Sequence, residues 1–185
     1  SSIIYNDIKD KYKFKLYPVV QSVAKILALI DISRLGVFAT KATINSNSYQ
    51  NEIYKYNNKM KVFGQYCPQW VNIVENSLLN DKKSVEIIKS DLMNMLKNNP
   101  EKIVLGCTHY PYLKDILSEY APNVEFIDPA VYLAEYIKKD LEANNLLSNS
   151  SSAVDEFFVS NNPKKFVQAA KLFYELKKEP ILLNF

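Results

Sequence analysis

Along the chain, short apolar, β-branched and aromatic runs alternate with stretches whose apolar positions recur every three to four residues. This is the pattern of an α/β fold with a largely parallel sheet. Residues 14–20 (FKLYPVV) read as a strand and 21–30 (QSVAKILALI) as a helix; 35–40 (LGVFAT) as a strand and 46–56 (SNSYQNEIYKY) as a helix. Residues 61–66 (KVFGQY) read as a strand preceding helices over 69–79 and 83–98. Three more strands are predicted at 102–106 (KIVLG), 124–128 (VEFID) and 155–160 (DEFFVS), each with a helix after it at 112–120, 130–145 and 163–178. The polar stretch 144–155 (NNLLSNSSSAVD) reads as a linker, with a boundary on or near it.

In open α/β sheets, ligands bind beyond the carboxyl ends of the strands, so the residues just after each strand carry functional weight. Three glycines, Gly36, Gly64 and Gly106, leave neither a dinucleotide fingerprint nor a phosphate loop. After the strands come instead TKAT (40–43), CTH (107–109) and DPA (128–130). Thr43 and Thr108 are candidate N-caps, and Asp128 with Pro129 is a cap with a first-turn proline behind it. Clustered helix starts suit a small anionic ligand, and the hydroxyls of Thr40, Thr43 and Thr108 would add donors.

Cys107 is expected at a strand-to-helix turn, where a helix dipole would lower its thiol pKa toward neutrality so that it could exchange a proton. His109, the chain's one histidine, could hold the thiol's protonation state or pass protons. Each residue also has a plainer reading. Cys107 could be a buried structural thiol, His109 a surface or capping histidine, and the threonines simple caps. Cys67 precedes a helix through Pro68 and lacks an adjacent base, so it reads as structural. Trp70, Val71 and Val74 read as core, and Glu75 as solvated.

Composition narrows the classes further. A chain of 185 residues with 48% hydrophobic and 23% charged residues is ordinary globular material. Its 23 basic residues exceed 20 acidic ones only slightly and are scattered, which speaks against nucleic-acid binding. Two cysteines give no metal spacing and no disulfide framework, so reduced thiols in the cytoplasm and no metal are expected. Apolar runs are too short to span a bilayer, and Ser1 opens no secretory leader; a soluble protein with no membrane partner is expected.

The run VLGCTHYPYL (104–113) resembles the second catalytic-cysteine motif of glutamate racemases, members of the aspartate/glutamate racemase superfamily. In the same order, LGVFATKATINSNSY (35–49) is similar to the family's Gly-Thr-Lys-Ala-Thr strand end, YCPQWVNIVEN (66–76) to its Cys-Pro helix, and DEFFVSNNPKKF (155–166) to its C-terminal strand and helix. The resemblance implies two similar parallel-sheet α/β domains facing a cleft, each lending one cysteine. One thiolate removes the α-proton of glutamate and the other thiol protonates the opposite face, without cofactor or metal, to supply D-glutamate for peptidoglycan, cell-wall biogenesis and cell shape. Cys107 matches the cysteine that deprotonates L-glutamate, assisted by His109. Thr108 and His109 would line the substrate site, Thr40 and Thr43 would hold a substrate carboxylate, and Glu75 matches a glutamate near the site. The family often forms homodimers.

The chain departs from the family's pattern at Ala39, where Gly is usual, and at Pro129, where Ser is usual. Its opening SSIIYNDI is similar to the segment directly after the family's first Cys-Asn-Thr motif. The expectation is a first domain that is incomplete, with residues 1–21 its remnant, 22–130 a nearly complete second domain, and 131–185 a C-terminal segment returning to the first. Such an N-terminally truncated chain lacks the first cysteine and is expected to be inactive alone, with a bare sheet edge and apolar faces that favour association. Two alternatives accompany this reading: a non-catalytic module binding a dicarboxylate or a protein, and an aspartate-type racemase. His109 opposes the second, because aspartate racemases typically carry Glu there.

Overall fold

A computed structural model describes residues 4–148, 154–171 and 173–184. The chain divides into two compact units, Ser1–Leu146 and Leu147–Phe185. Residues 149–153 of the predicted linker lie outside the described residues.

The first unit begins with a short helix α1 (Tyr5–Ile8) and α2 (Val19–Ala28), then β1 (Arg34–Ala39), α3 (Lys41–Asn45), α4 (Ser48–Tyr54) and β2 (Lys61–Tyr66). After these come α5 (Trp70–Glu75), α6 (Lys82–Leu96), β3 (Lys102–Leu105), a 3-10 helix (Tyr110–Leu113), α7 (Lys114–Tyr120), β4 (Glu125–Ile127) and α8 (Pro129–Ala143). The four strands form one sheet in the order β2-β1-β3-β4. All pairings are parallel, with Val37 opposite Val104, Ala39 opposite Tyr66, and Val104 opposite Ile127.

A parallel sheet covered on both faces needs apolar residues at nearly every central-strand position. β1 meets this with Leu35 to Ala39 fully buried, and β3 with Ile103 to Leu105. Period-two alternation then divides the core. Phe38, Ile103 and Leu105 face a cluster built on Trp70, Ile88, Leu92 and Tyr110. Leu35, Val37 and Val104 face the other way, onto Val23, Leu27, Tyr49 and Ile53. Each large side chain so buried contributes about 1.5–3 kcal/mol relative to exposure. Because the strands are parallel, the carboxyl ends of β1, β3 and β4 open on one edge, which is where the candidate residues were expected.

The predicted strand over 14–20 is not formed. Val19 and Val20 instead begin α2, whose buried residues Val20, Val23, Ala24, Leu27 and Ala28 have helical spacing. Pro18 takes the N-cap position, where its missing N–H costs nothing. The irregular segment before it is tied to α8 by side chains: the Tyr17 hydroxyl donates to Asp140 at 2.6 Å and Lys15 pairs with the same carboxylate at 2.5 Å. At the other end of the unit, Asp128 caps α8 by accepting from Ala130 N–H at 2.9 Å, with Pro129 in the first turn as expected.

In the second unit, β5 (Phe158–Val159) pairs in parallel with β6 (Ile181–Leu182), a strand the sequence pattern did not predict. The predicted helix over 163–178 is shorter, with α9 spanning Pro163–Ala170. Its continuation turns at Ala170, whose carbonyl accepts from both Phe173 and Tyr174 N–H. The turn brings Tyr174 to 5.6 Å from the Phe157 ring, so aromatic packing overrides the helical propensity of the segment.

Candidate active site

The site is built where β3 ends. Gly106 N–H donates to Phe38 carbonyl at 2.7 Å, which carries the β1–β3 pairing one residue beyond the strand. A Cβ at position 106 would lie 2.9 Å from Tyr49 Cε2 and 3.0 Å from that same carbonyl, so only glycine allows this close approach. The chain then turns through Cys107, Thr108 and His109, closed by Tyr110 N–H donating to Cys107 carbonyl at 3.0 Å.

Tyr110 anchors the turn from below. Its fully buried ring packs edge-on to Trp70 at 4.9 Å, and its hydroxyl donates to Cys67 carbonyl at 3.1 Å. Trp70 in turn donates from Nε1 to Asp91 at 2.8 Å. Cys67, Trp70 and Val74 are core residues, as expected, and Val71 packs at the core's margin. Burial pushes the Cys67 thiol far above the ordinary thiol range.

The structure brings Cys107, Thr108 and His109 together. Cys107 Sγ lies 3.9 Å from His109 Nδ1, and Thr108 Oγ1 lies 3.5 Å from the same nitrogen. On the far side of the ring, His109 Nε2 stands 3.2 Å from Glu75 Oε1 at the end of α5. Glu75 is solvated, its side chain 58% exposed, but it is also a partner of the site histidine.

Two sequence expectations are corrected here. The first concerns the thiol: burial raises the Cys107 pKa, and a hydrogen bond from His109 N–H only partly offsets it. The 3-10 turn after Cys107 runs directly into α7, but the half-buried position of the sulfur makes desolvation the larger influence on the thiol. The second concerns capping. Thr40, not Thr43, occupies the N-cap of α3, and it makes no side-chain cap bond; His109, not Thr108, holds the cap position of the 3-10 helix.

Cys107 and Thr108 open onto a cleft of about 160 Å³ that Thr43, Tyr49 and Asp128 also line, with an apolar wall from Val19 and Val20 of α2. Thr40 stands behind Thr43, their hydroxyls 3.1 Å apart. The cleft thus gathers hydroxyl donors, one carboxylate and one thiol, a set suited to holding a small zwitterion and exchanging a proton with it. Tyr49 was not singled out in the sequence, where its spacing to Ile53 reads as an ordinary buried helix stripe. Among the described residues, no group of His, Cys, Asp and Glu could hold a metal ion, and no helix is long and apolar enough to cross a membrane.

Known proteins share both the sequence and the architecture. The chain is 32% identical over 176 residues to a glutamate racemase of Thermoanaerobacter sp. (strain X514), covering 94% of this chain and 67% of that protein. It is 33% identical over 167 residues to a glutamate racemase of Trichodesmium erythraeum, covering 90% and 62%. The chain therefore spans about two thirds of the length of these curated relatives. Among solved structures, glutamate racemase from Francisella tularensis in complex with D-glutamate superposes with a TM-score of 0.86 at 26% identity, covering all of this chain and 68% of that one. The RacE1 isoform from Bacillus anthracis shares the fold with a TM-score of 0.91 at 22% identity, covering 100% and 70%. Residues 4–137, the stretch that carries the sheet, the cleft and the Cys107–His109 turn, match the Asp/Glu/hydantoin racemase family, and the chain belongs to that family.

Proposed function

We propose that this chain carries one half of a cofactor-independent glutamate racemase site, with Cys107 as one of two acid/base thiols. The observation that carries the reading is the placement of Cys107 Sγ in a donor-lined cleft, 3.9 Å from His109 Nδ1. His109 takes the thiol proton, and the desolvated thiolate, made more basic by burial, removes the α-proton of L-glutamate. Thr43, Thr108 and, behind them, Thr40 orient the substrate carboxylate. Glu75 holds the imidazole and balances its positive charge. In the complete two-thiol reaction a second thiol would deliver a proton to the opposite face of the α-carbon, and the D-glutamate so formed would serve peptidoglycan synthesis in the cytoplasm.

A two-thiol reaction needs a second sulfur facing the other side of the α-carbon. Cys67 does not meet this need, because it is 2% exposed and packed in the core. The chain of 185 residues is therefore expected to exchange the α-proton of one enantiomer without inverting it. The test is incubation of L- and D-glutamate separately in D2O with this chain, then proton NMR and chiral chromatography. Deuterium should enter the α-position of one enantiomer only, with configuration retained, and Cys107→Ala should abolish it. Full racemisation by the unmodified chain, lost on Cys107→Ala, would overturn the single-face expectation, and exchange that survives Cys107→Ala would overturn the assignment of Cys107.

A further inference from the structure

Tyr49 is 3% exposed, and its ring lies against Gly106, with the hydroxyl 3.2 Å from where a Cβ at that position would stand. A buried phenol ordinarily finds a partner for its O–H. Among the described residues this hydroxyl makes no hydrogen bond and is not sealed in the core, and the residue lines the cleft beside Cys107, Thr108 and Asp128. The nearby start of α8 cannot supply its usual donors: Pro129 has no N–H, and that of Ala130 is already taken by Asp128. Burial, with Asp128 and Cys107 close by, holds the phenol far above its ordinary pKa, so it remains a neutral donor.

We propose that Tyr49 is a ligand-binding residue of this cleft, donating its O–H to a carboxylate oxygen of the bound amino acid. The inference rests on the racemase reading above and extends it by one residue. Asp128, the carboxylate in the same cleft, is the complementary acceptor for the ligand's ammonium group. The contact of the Tyr49 ring with Gly106 also fixes the backbone one residue before Cys107. The bound carboxylate and the thiol are thereby held in one frame.

The experiment is calorimetric titration of the full chain, and of Tyr49→Phe, with D- and L-glutamate, alongside thermal unfolding of both proteins without ligand. The variant keeps the ring and removes only the hydroxyl. A hydrogen bond to a charged group implies a rise in Kd of roughly ten-fold or more, with the unfolding midpoint unchanged. An unchanged Kd, whether or not the midpoint falls, overturns the proposal and leaves the racemase reading standing. In the unmodified chain, saturating D-glutamate should also shift the Tyr49 ring resonances, and a ring that does not respond counts equally against it. If neither enantiomer binds the unmodified chain, the racemase reading fails and this inference fails with it.

Discussion

His109 joins two groups that the fold brings from different elements: its Nδ1 stands 3.9 Å from Cys107 Sγ, and its Nε2 stands 3.2 Å from Glu75 Oε1. An imidazole held at one nitrogen by a carboxylate presents the other to its partner in a fixed orientation, which is how a thiol, a base and an orienting group act as a unit.

If they act as a unit, their substitutions are not additive. His109→Ala should slow α-deuterium incorporation into glutamate by about 100-fold or more, the usual scale of a positioned acid/base. Glu75→Gln should cost roughly ten-fold, since it weakens orientation without removing the base. In the His109→Ala background, Glu75→Gln should cost nothing further. A full Glu75 effect in the absence of His109 would show that the carboxylate acts on something else.

The Cys107 thiol can be titrated directly. Its burial raises the pKa, so the rate of alkylation by iodoacetamide should climb with a midpoint above the free-thiol value of ~8.5. Cys67, buried in the core, should stay unmodified in the folded chain. Mass spectrometry of alkylated peptides across a pH series reads both sites at once. A Cys107 midpoint below that of a free thiol would mean that the imidazole outweighs desolvation.

The sheet and the Cys107–His109 turn were legible in the sequence because β1 and β3 are buried on both faces and read as unbroken apolar runs. The start of α2 was not, since Val19 and Val20 have high strand propensity and only the helical spacing of the residues after them shows which period prevails. Tyr49 was hidden for a different reason. Its importance comes from a contact with Gly106 more than fifty residues away, and no local pattern encodes such a contact. The Cys107 pKa was misjudged because spacing shows that a turn comes after the strand, but not how deeply the sulfur is buried.

Gly106→Ala should be costly in a way that Gly64→Ala is not. At 106 the added methyl meets Phe38 carbonyl at 3.0 Å, a backbone atom of the central strand, as well as the Tyr49 ring. At 64 it meets only the flexible Ile44 side chain, at 3.1 Å. Overpacking at 106 should lower unfolding free energy by about 1–3 kcal/mol, against less than about 1 kcal/mol at 64. Urea unfolding of the two variants makes the comparison, and equal costs would mean that the β3 end yields easily. The 106 variant should also lose glutamate binding, because Tyr49 and Cys107 flank the displaced backbone.

Alkaline stability offers a last test, and its sign is set by the buried thiol. Burial raises the folded-state pKa of Cys67 above its unfolded value, so between the two values the unfolded chain has released a proton that the folded chain retains. The stabilisation from keeping this thiol neutral is full below the ordinary thiol pKa of ~8.5 and is lost as pH rises beyond it, at up to about 1.4 kcal/mol per pH unit. Cys67→Ala removes that contribution. The variant should be less stable than the parent at pH 7, because its core loses a packed sulfur, yet its stability should fall less steeply between about pH 8.5 and 10, before tyrosine ionisation enters. Urea unfolding at several pH values measures the slopes. Parallel slopes for parent and variant would mean that the Cys67 thiol titrates alike in both states, contrary to its burial beneath Tyr110.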